Sequence, residues 1–175
     1  MPLRLAVILL ACLVVACSDE PADTAVEARE ENVVRVGDLT YRAVLFRQLN
    51  PRVAPDRSIV ETAAPEADEG LYAAFIHVCN ESDEPQQPTG QIVLEDAFGQ
   101  VFRPLRSGVD TELTYQAARL APGDCIPARD SPANETFNGA ALVYEVPFDA
   151  VQERPMALEI RPRGGGDPAR IRLDL

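Results

Sequence analysis

The chain has no tryptophan, no lysine, one histidine (His77) and two methionines, Met1 and Met156. These absences remove the raw material of most catalytic and metal-binding constellations. The single histidine has no nucleophile motif such as GxSxG to serve, which argues against hydrolase chemistry. The several closely spaced Met or His ligands of a copper carrier are missing, and so is the DxDxDG pattern of a calcium loop. Positive charge is scarce as well. Sixteen basic residues, all arginine, stand against 28 acidic ones for a net charge of -12. Such a field repels phosphate backbones and excludes general nucleic-acid binding. The arginines are scattered rather than clustered, so they mark no anion site. With abundant Ala and Pro and no Lys, they read as GC-rich coding. The acidic pairs Asp110/Glu112 and Glu95/Asp96 read as solvated turns.

What is present concentrates at the N-terminus. Met1 to Ala16 carries one positive charge, Arg4, followed by the apolar run Leu5–Ala16. The run has the length of a secretory core and falls short of the roughly 20 apolar residues of a spanning helix. It ends in Leu13-Val14-Val15-Ala16-Cys17, which resembles the bacterial lipobox. The Cys17 thiol is expected to accept a diacylglyceryl group, with cleavage before it. Each buried CH₂ contributes about 0.8 kcal/mol, so two or three acyl chains anchor the protein to the lipid bilayer almost permanently. The expected location is the extracytoplasmic face of the cell membrane. Ser18, rather than Asp, favours the outer membrane if the source has two membranes.

Residues 17–32 are expected to form the lipidated Cys and an acidic tether. Ser18 to Asn32 holds six acidic residues and one arginine, with almost no bulky apolar side chain. Charged linkers self-repel and extend, and one of this length would reach roughly 20–25 Å. Residues 33–175 remain for one folded domain, enough for a sizeable core.

From Val33 onward the period is two. Leu39, Tyr41, Ala43 and Leu45 are expected on one face, and Arg42, Val44, Phe46 and Gln48 on the other. The run LYAAFIHVC up to Cys79 is apolar on both faces, the pattern of a central strand covered on both sides, with a buried helix as the competing reading. Gln91–Glu95 and Gln100–Leu105 flank Asp96-Ala97-Phe98-Gly99 and should close a hairpin with Gly99 left-handed. Ala121-Pro122-Gly123-Asp124 places Pro and Gly where a type II turn wants them. Cys125-Ile126 then opens a short or edge strand limited by Pro127. Further strands are expected over Gly139–Val146, Met156–Arg161 and Ala169–Leu175, with a helical turn capped by Asp149 between the first two. About seven short strands and no long amphipathic helix imply an all-β fold, an antiparallel, immunoglobulin-like β-sandwich. Asn50–Glu69, with its three prolines, is long for a plain connection. It is expected to be either a binding loop or a floppy insertion, removable in both cases without loss of folding.

The segments VRVGDLTYRAVLFRQLNP, LYAAFIHVCNESDEP, IVLEDAFGQVFRPL, LAPGD and ALVYEVPFDA resemble a domain of unknown function found in bacterial lipoproteins and secreted antigens. That domain has a telokin-like, immunoglobulin-like sandwich. The resemblance covers roughly Val33 to Leu175. It implies fold and location and carries over no active site, because its motifs are structural punctuation. The stretch Ile126–Asn138 stands as an insertion relative to that pattern.

Cys12 leaves with the signal and Cys17 is acylated, so Cys79 and Cys125 remain. Both are expected at strand ends beside turns in an oxidising compartment, where a disulfide between them is favoured. The alternative keeps both thiols free. Cys79 and Cys125 with His77, which shares a strand face with Cys79, would then hold copper or zinc in an exported carrier. The leading expectation is a non-enzymatic binding module of the cell envelope, without cofactor. Its partner surface would be the Asn50–Glu69 loop and the Ile126–Asn138 insertion, facing an envelope or extracellular protein.

Overall fold

The computed structural model describes residues 26–29 and 32–173. Two five-stranded sheets face each other. Strands β1 (Val26–Arg29), β10 (Ala169–Leu173), β9 (Met156–Ile160), β5 (Ile92–Glu95) and β6 (Val101–Phe102) lie in that order in sheet I. Sheet II runs β2 (Val33–Val36), β3 (Leu39–Gln48), β4 (Glu69–Asn80), and then β8 (Ala140–Pro147) and β7 (Cys125–Ile126), which share the far edge of β4. All pairings are antiparallel except β1 with β10. The architecture is the all-β sandwich expected, with ten strands among the described residues where about seven were foreseen. Two expected strands are short, β6 and β7 with two residues each, and the four-residue β1 is an addition.

Sheet I takes in a strand that precedes Val33. β1 lies within residues 17–32, expected as tether, yet its four residues pair in register with Ala169–Arg172. Its alternation was hidden by its charge: VEAR reads as linker by composition, while the edge of β10 offers unpaired backbone groups that any short extended segment can satisfy.

Between the sheets lies the main core. Tyr41, Phe46, Tyr72, Ile76, Leu94, Leu142, Leu158 and Ile171 all point into it. β3 enters it in two phases. Leu39, Tyr41 and Ala43 face inward as the alternation foretold, but a bulge at Val44 shifts the register between Ala43 and Leu45. Beyond it Phe46 is buried and Leu45 is exposed, the reverse of the expected faces. A bulge adds one residue to one strand only, and every side chain after it changes face.

The local turns match the sequence reading. In the β5–β6 hairpin Gly99 sits at φ 83° and the Asp96 amide donates to the Gln100 carbonyl at 3.1 Å. The Asp96 carboxylate accepts the amides of Phe98 and Gln100, both at 2.9 Å. Asp96 is therefore a buried turn-builder rather than a solvated charge, and Glu95 is ion-paired to Arg170 at 2.7 Å. Gly123 sits at φ 81° with the Asp124 amide donating to the Ala121 carbonyl. The Asp149 carboxylate caps the 3₁₀ turn Ala150–Gln152.

One core group is unsatisfied. The Tyr144 hydroxyl, fully buried, has no hydrogen-bond partner among the described residues, and burial pushes its pKa well up. An unpaired buried hydroxyl costs about 1–3 kcal/mol. Tyr144→Phe should therefore unfold at equal or higher denaturant concentration than the parent, with a gain of about 1 kcal/mol. A clear loss in the urea midpoint would show that the hydroxyl is satisfied in solution.

Candidate functional site

Strand β4 is apolar on both faces. Tyr72, Ala74, Ile76 and Val78 join the main core, while Leu71, Ala73 and Phe75 point the other way, with Ala141 and Val143 of β8 beside them. Among the described residues no third sheet covers this outer face. Three connections do. Leu49 and the 50–69 segment that follows it contribute Leu49, Ile59, Val60 and Ala63, the link after β6 contributes Leu105, Val109 and Leu113, and helix α2 (Pro132–Phe137) contributes Ala133 and Phe137. Together they form a second core.

The segment 50–69 is thus packed on the sheet rather than a floppy insertion. Its four-residue helix α1 (Asp56–Ile59) buries Ile59 completely. The Arg47 guanidinium donates to both Asp56 carboxylate oxygens, at 2.8 and 2.5 Å, and the Asn50 amide adds a third bond at 2.9 Å. These donors hold the Asp56 carboxyl below its usual pKa, the Arg47 hydrogen bond being the main cause. The same guanidinium lies 5.4 Å from the Phe75 ring centroid, and Phe75 stacks on Phe137 at 5.1 Å. One arginine thereby joins the loop, the sheet and the aromatic stack that ends on α2.

The supposed insertion 126–138 belongs to the same cover. The Ser131 hydroxyl caps α2 by accepting the Asn134 amide, and Asn138 ends the helix in the left-handed region at φ 51°. Gly139 follows where a Cβ would meet the Phe75 Cβ at 3.0 Å, so a side chain there would crowd β4.

The residues singled out for metal chemistry are placed as follows. Cys79 and Cys125 are directly paired in the β4–β7 register with Cα atoms 4.1 Å apart, and they form the expected disulfide. His77 does share the outer face with Cys79, and its Nε2 is bonded to the Asn138 carbonyl at 2.9 Å. The bridge consumes both thiols, and the imidazole pins the C-terminal end of α2. The copper or zinc carrier reading therefore loses its ligand set, and among the described residues no group of three His, Cys, Asp or Glu could hold a metal ion. Cys17, the expected lipidation site, lies outside the described residues.

A cleft of about 110 Å³ opens beside β8, between Gly90, Leu105, Arg106, Thr114 and Tyr115. Its polar rim is already engaged: Arg106 donates to the Gly90 carbonyl, Gln116 to the Thr114 hydroxyl, and Thr114 to the Asp110 carbonyl. The Tyr115 hydroxyl donates to the Thr89 carbonyl at 2.8 Å, while the Tyr41 hydroxyl accepts the Thr89 amide at 3.3 Å. Burial raises both phenol pKa values, so both stay protonated and neutral at ordinary pH. This is a structural clasp.

No family model matches the chain, and no curated protein matches it. Solved structures do, at the level of fold. The yjhA protein of Bacillus subtilis is 10% identical with a TM-score of 0.52, over 84% of this chain and 99% of that one. An uncharacterized β-sandwich protein of Clostridium difficile 630 is 9% identical with a TM-score of 0.51, over 89% and 98%. A candidate lipoprotein, ycdA of Bacillus subtilis, is 9% identical with a TM-score of 0.53, over 83% of this chain, which spans 39% of that longer one. These likenesses show the fold, a β-sandwich. Among the described residues no helix is long and apolar enough to cross a membrane.

Sequence reasoning missed Arg47 and Asp56. A signal existed: Arg47 interrupts an apolar strand, and Pro55-Asp56 precedes the pair Ile59-Val60 as a helix start precedes its buried residues. Because the loop covers the sheet, Ile59→Ala should cost about 2–4 kcal/mol in chemical denaturation, and deletion of 50–69 should abolish cooperative unfolding. A deletion variant that still melts sharply would refute the second core. Asp56→Asn should cost about 1–3 kcal/mol near neutral pH by leaving Arg47 half-buried and unpaired. A lowered folded pKa stabilises above the carboxyl's ordinary value, 3.8, and that gain is lost as pH falls through the folded value. The gap between parent and Asp56→Asn should accordingly close in unfolding titrations taken from about pH 5 down to about pH 2.

Proposed function

We propose that this protein is a membrane-anchored, extracytoplasmic binding module of the bacterial cell envelope, held to the bilayer by acylated Cys17 and working without an enzymatic activity of its own. The observation that carries the reading is the Cys79–Cys125 disulfide, which belongs to an oxidising compartment outside the cytoplasm. The lipobox-like Leu13–Cys17 agrees with it, and the likeness to the candidate lipoprotein ycdA supports it by analogy. Kinship with telokin-like lipoprotein domains is part of the same reading. The partner is an envelope or extracellular protein.

The partner surface is narrower than the sequence suggested. Ile59 and Val60 of the 50–69 loop and Ala133 and Phe137 of α2 are spent on the second core. Exposed apolar groups remain at Phe98, on the tip of the β5–β6 hairpin, and at Val53 and Phe148. Phe98 is 78% exposed on a turn fixed by two Asp96 hydrogen bonds, so it is presented with little conformational freedom left to lose on binding.

Intact mass of the protein extracted from native membranes tests the anchor and the bridge together. A chain starting at an acylated Cys17, with two alkylations appearing only after reduction, is the expected result. An unacylated start would make this a freely secreted protein, and alkylation without reduction would remove the compartment argument. Reduction should also lower stability by about 4 kcal/mol, from the 46-residue separation of the bridged cysteines. A melting temperature insensitive to reductant would contradict that.

A further inference from the structure

We infer that β1 is a strap that fixes which end of the sandwich faces the membrane; this rests on the lipid anchor proposed above. The argument begins with direction. β1 is parallel to β10, Val26 opposite Ala169 and Arg29 opposite Arg172. Ala169 in turn stands opposite Ile160, which pairs with Ile92, so the chain enters sheet I at the end where β9 stops and β5 starts. A groove lined by Gly37, Asp38, Gln87 and Pro162 places the β2–β3 turn of sheet II at that same end. Leu39 pairs with Asn80 and Cys79 with Cys125, which puts the disulfide there too.

The opposite end carries the hairpin tip. β5 runs from Ile92 at the entry end to Glu95, and the tip with Phe98 lies beyond it. Pro147 and Phe148 follow the end of β8 that pairs with Glu69, and they lead into β9 at Met156, the end of β9 nearest the tip. The exposed aromatics Phe98 and Phe148 therefore share the end remote from the entry point.

Chain length makes this orientation consequential. With β1 docked, only the eight residues 18–25 separate Cys17 from the sandwich, spanning at most about 28 Å. The 12 residues of β4 are about 40 Å long. Phe98 thus reaches lipid only if the sandwich lies on its side. With β1 released, the free segment would be residues 18–32, about 50 Å fully extended, and the orientation would be lost. The strap turns a tether into a stand.

The test uses the full chain, purified with its acyl anchor and reconstituted in phosphatidylcholine vesicles carrying a headgroup acceptor dye. A fluorescent amino acid replaces either Asp38 or Phe98, which leaves the native disulfide untouched. Transfer should be roughly two-fold or more stronger from 38 than from 98, given the length of the sandwich. Glu27→Pro with Ala28→Pro removes two successive amides, so one lost donor faces β10 whichever way the ladder alternates. In that variant the two positions should converge while the melting of the sandwich persists. Equal transfer from an acylated parent would overturn the strap alone. A gradient that survives in the double-proline variant, with its β1 amides open to hydrogen exchange, would overturn it as well. Failure of the parent to float with vesicles, with an unmodified Cys17 by mass, would instead overturn the anchor and the strap together.

Discussion

The fold depends on one constraint: β4 is apolar on both of its faces, and both must leave water. A sandwich solves half of this by placing a second sheet against one face. The other half falls to whatever lies between the strands, and here three connections contribute Ile59, Leu113 and Phe137 to an outer layer. Their irregular backbone is tolerated because the side chains, not the main chain, enter the second core. Each connection also finds its own polar anchor. Arg47 and Asp56 fix the first, the Asp110 turn shapes the second, and Ser131 with His77 fixes the two ends of α2.

This arrangement separates stability from recognition. The elements that looked free by length and composition are consumed in covering β4. Among the apolar groups left exposed, Phe98 sits on the Asp96-braced hairpin. The disulfide acts within a single sheet, joining neighbouring strands rather than the two layers, so it secures the two-residue β7 and the turn before it. Contact between the layers is left to apolar packing, which a small aromatic content supplies mainly through aliphatic side chains.

Local structure was legible wherever it was written in local chemistry. Gly99 and Gly123 announce their turns because only glycine enters those conformations freely, and Cys79 and Cys125 find each other because both flank a turn. The two-sided apolar pattern of β4 correctly required cover on both faces, without naming what the cover is. The long-range pairings were not legible. Nothing near Val26 points to Ala169, and nothing near Asp56 points to Arg47, since each partnership is decided by which edge or face the rest of the chain leaves open. His77 and the cysteines show the converse. Their proximity on one face was readable, but the orientation of the imidazole toward Asn138 depends on a helix whose position the sequence does not disclose.

The bulge at Val44 acts as a parity switch. Before it, odd-numbered residues of β3 point into the sandwich, and after it even-numbered ones do. An unbroken strand would have carried the Arg47 guanidinium into the dry space between the sheets and turned Phe46 out to solvent. The one extra residue exchanges those fates, sending the aromatic ring inward and the charge outward to the Asp56 carboxylate and the Phe75 ring. The chain therefore encodes its outer layer in a count rather than in a contact. Removing Val44, a half-buried valine with no special chemistry, would rewrite the address of every side chain up to Gln48 and leave the long loop with nothing to hold.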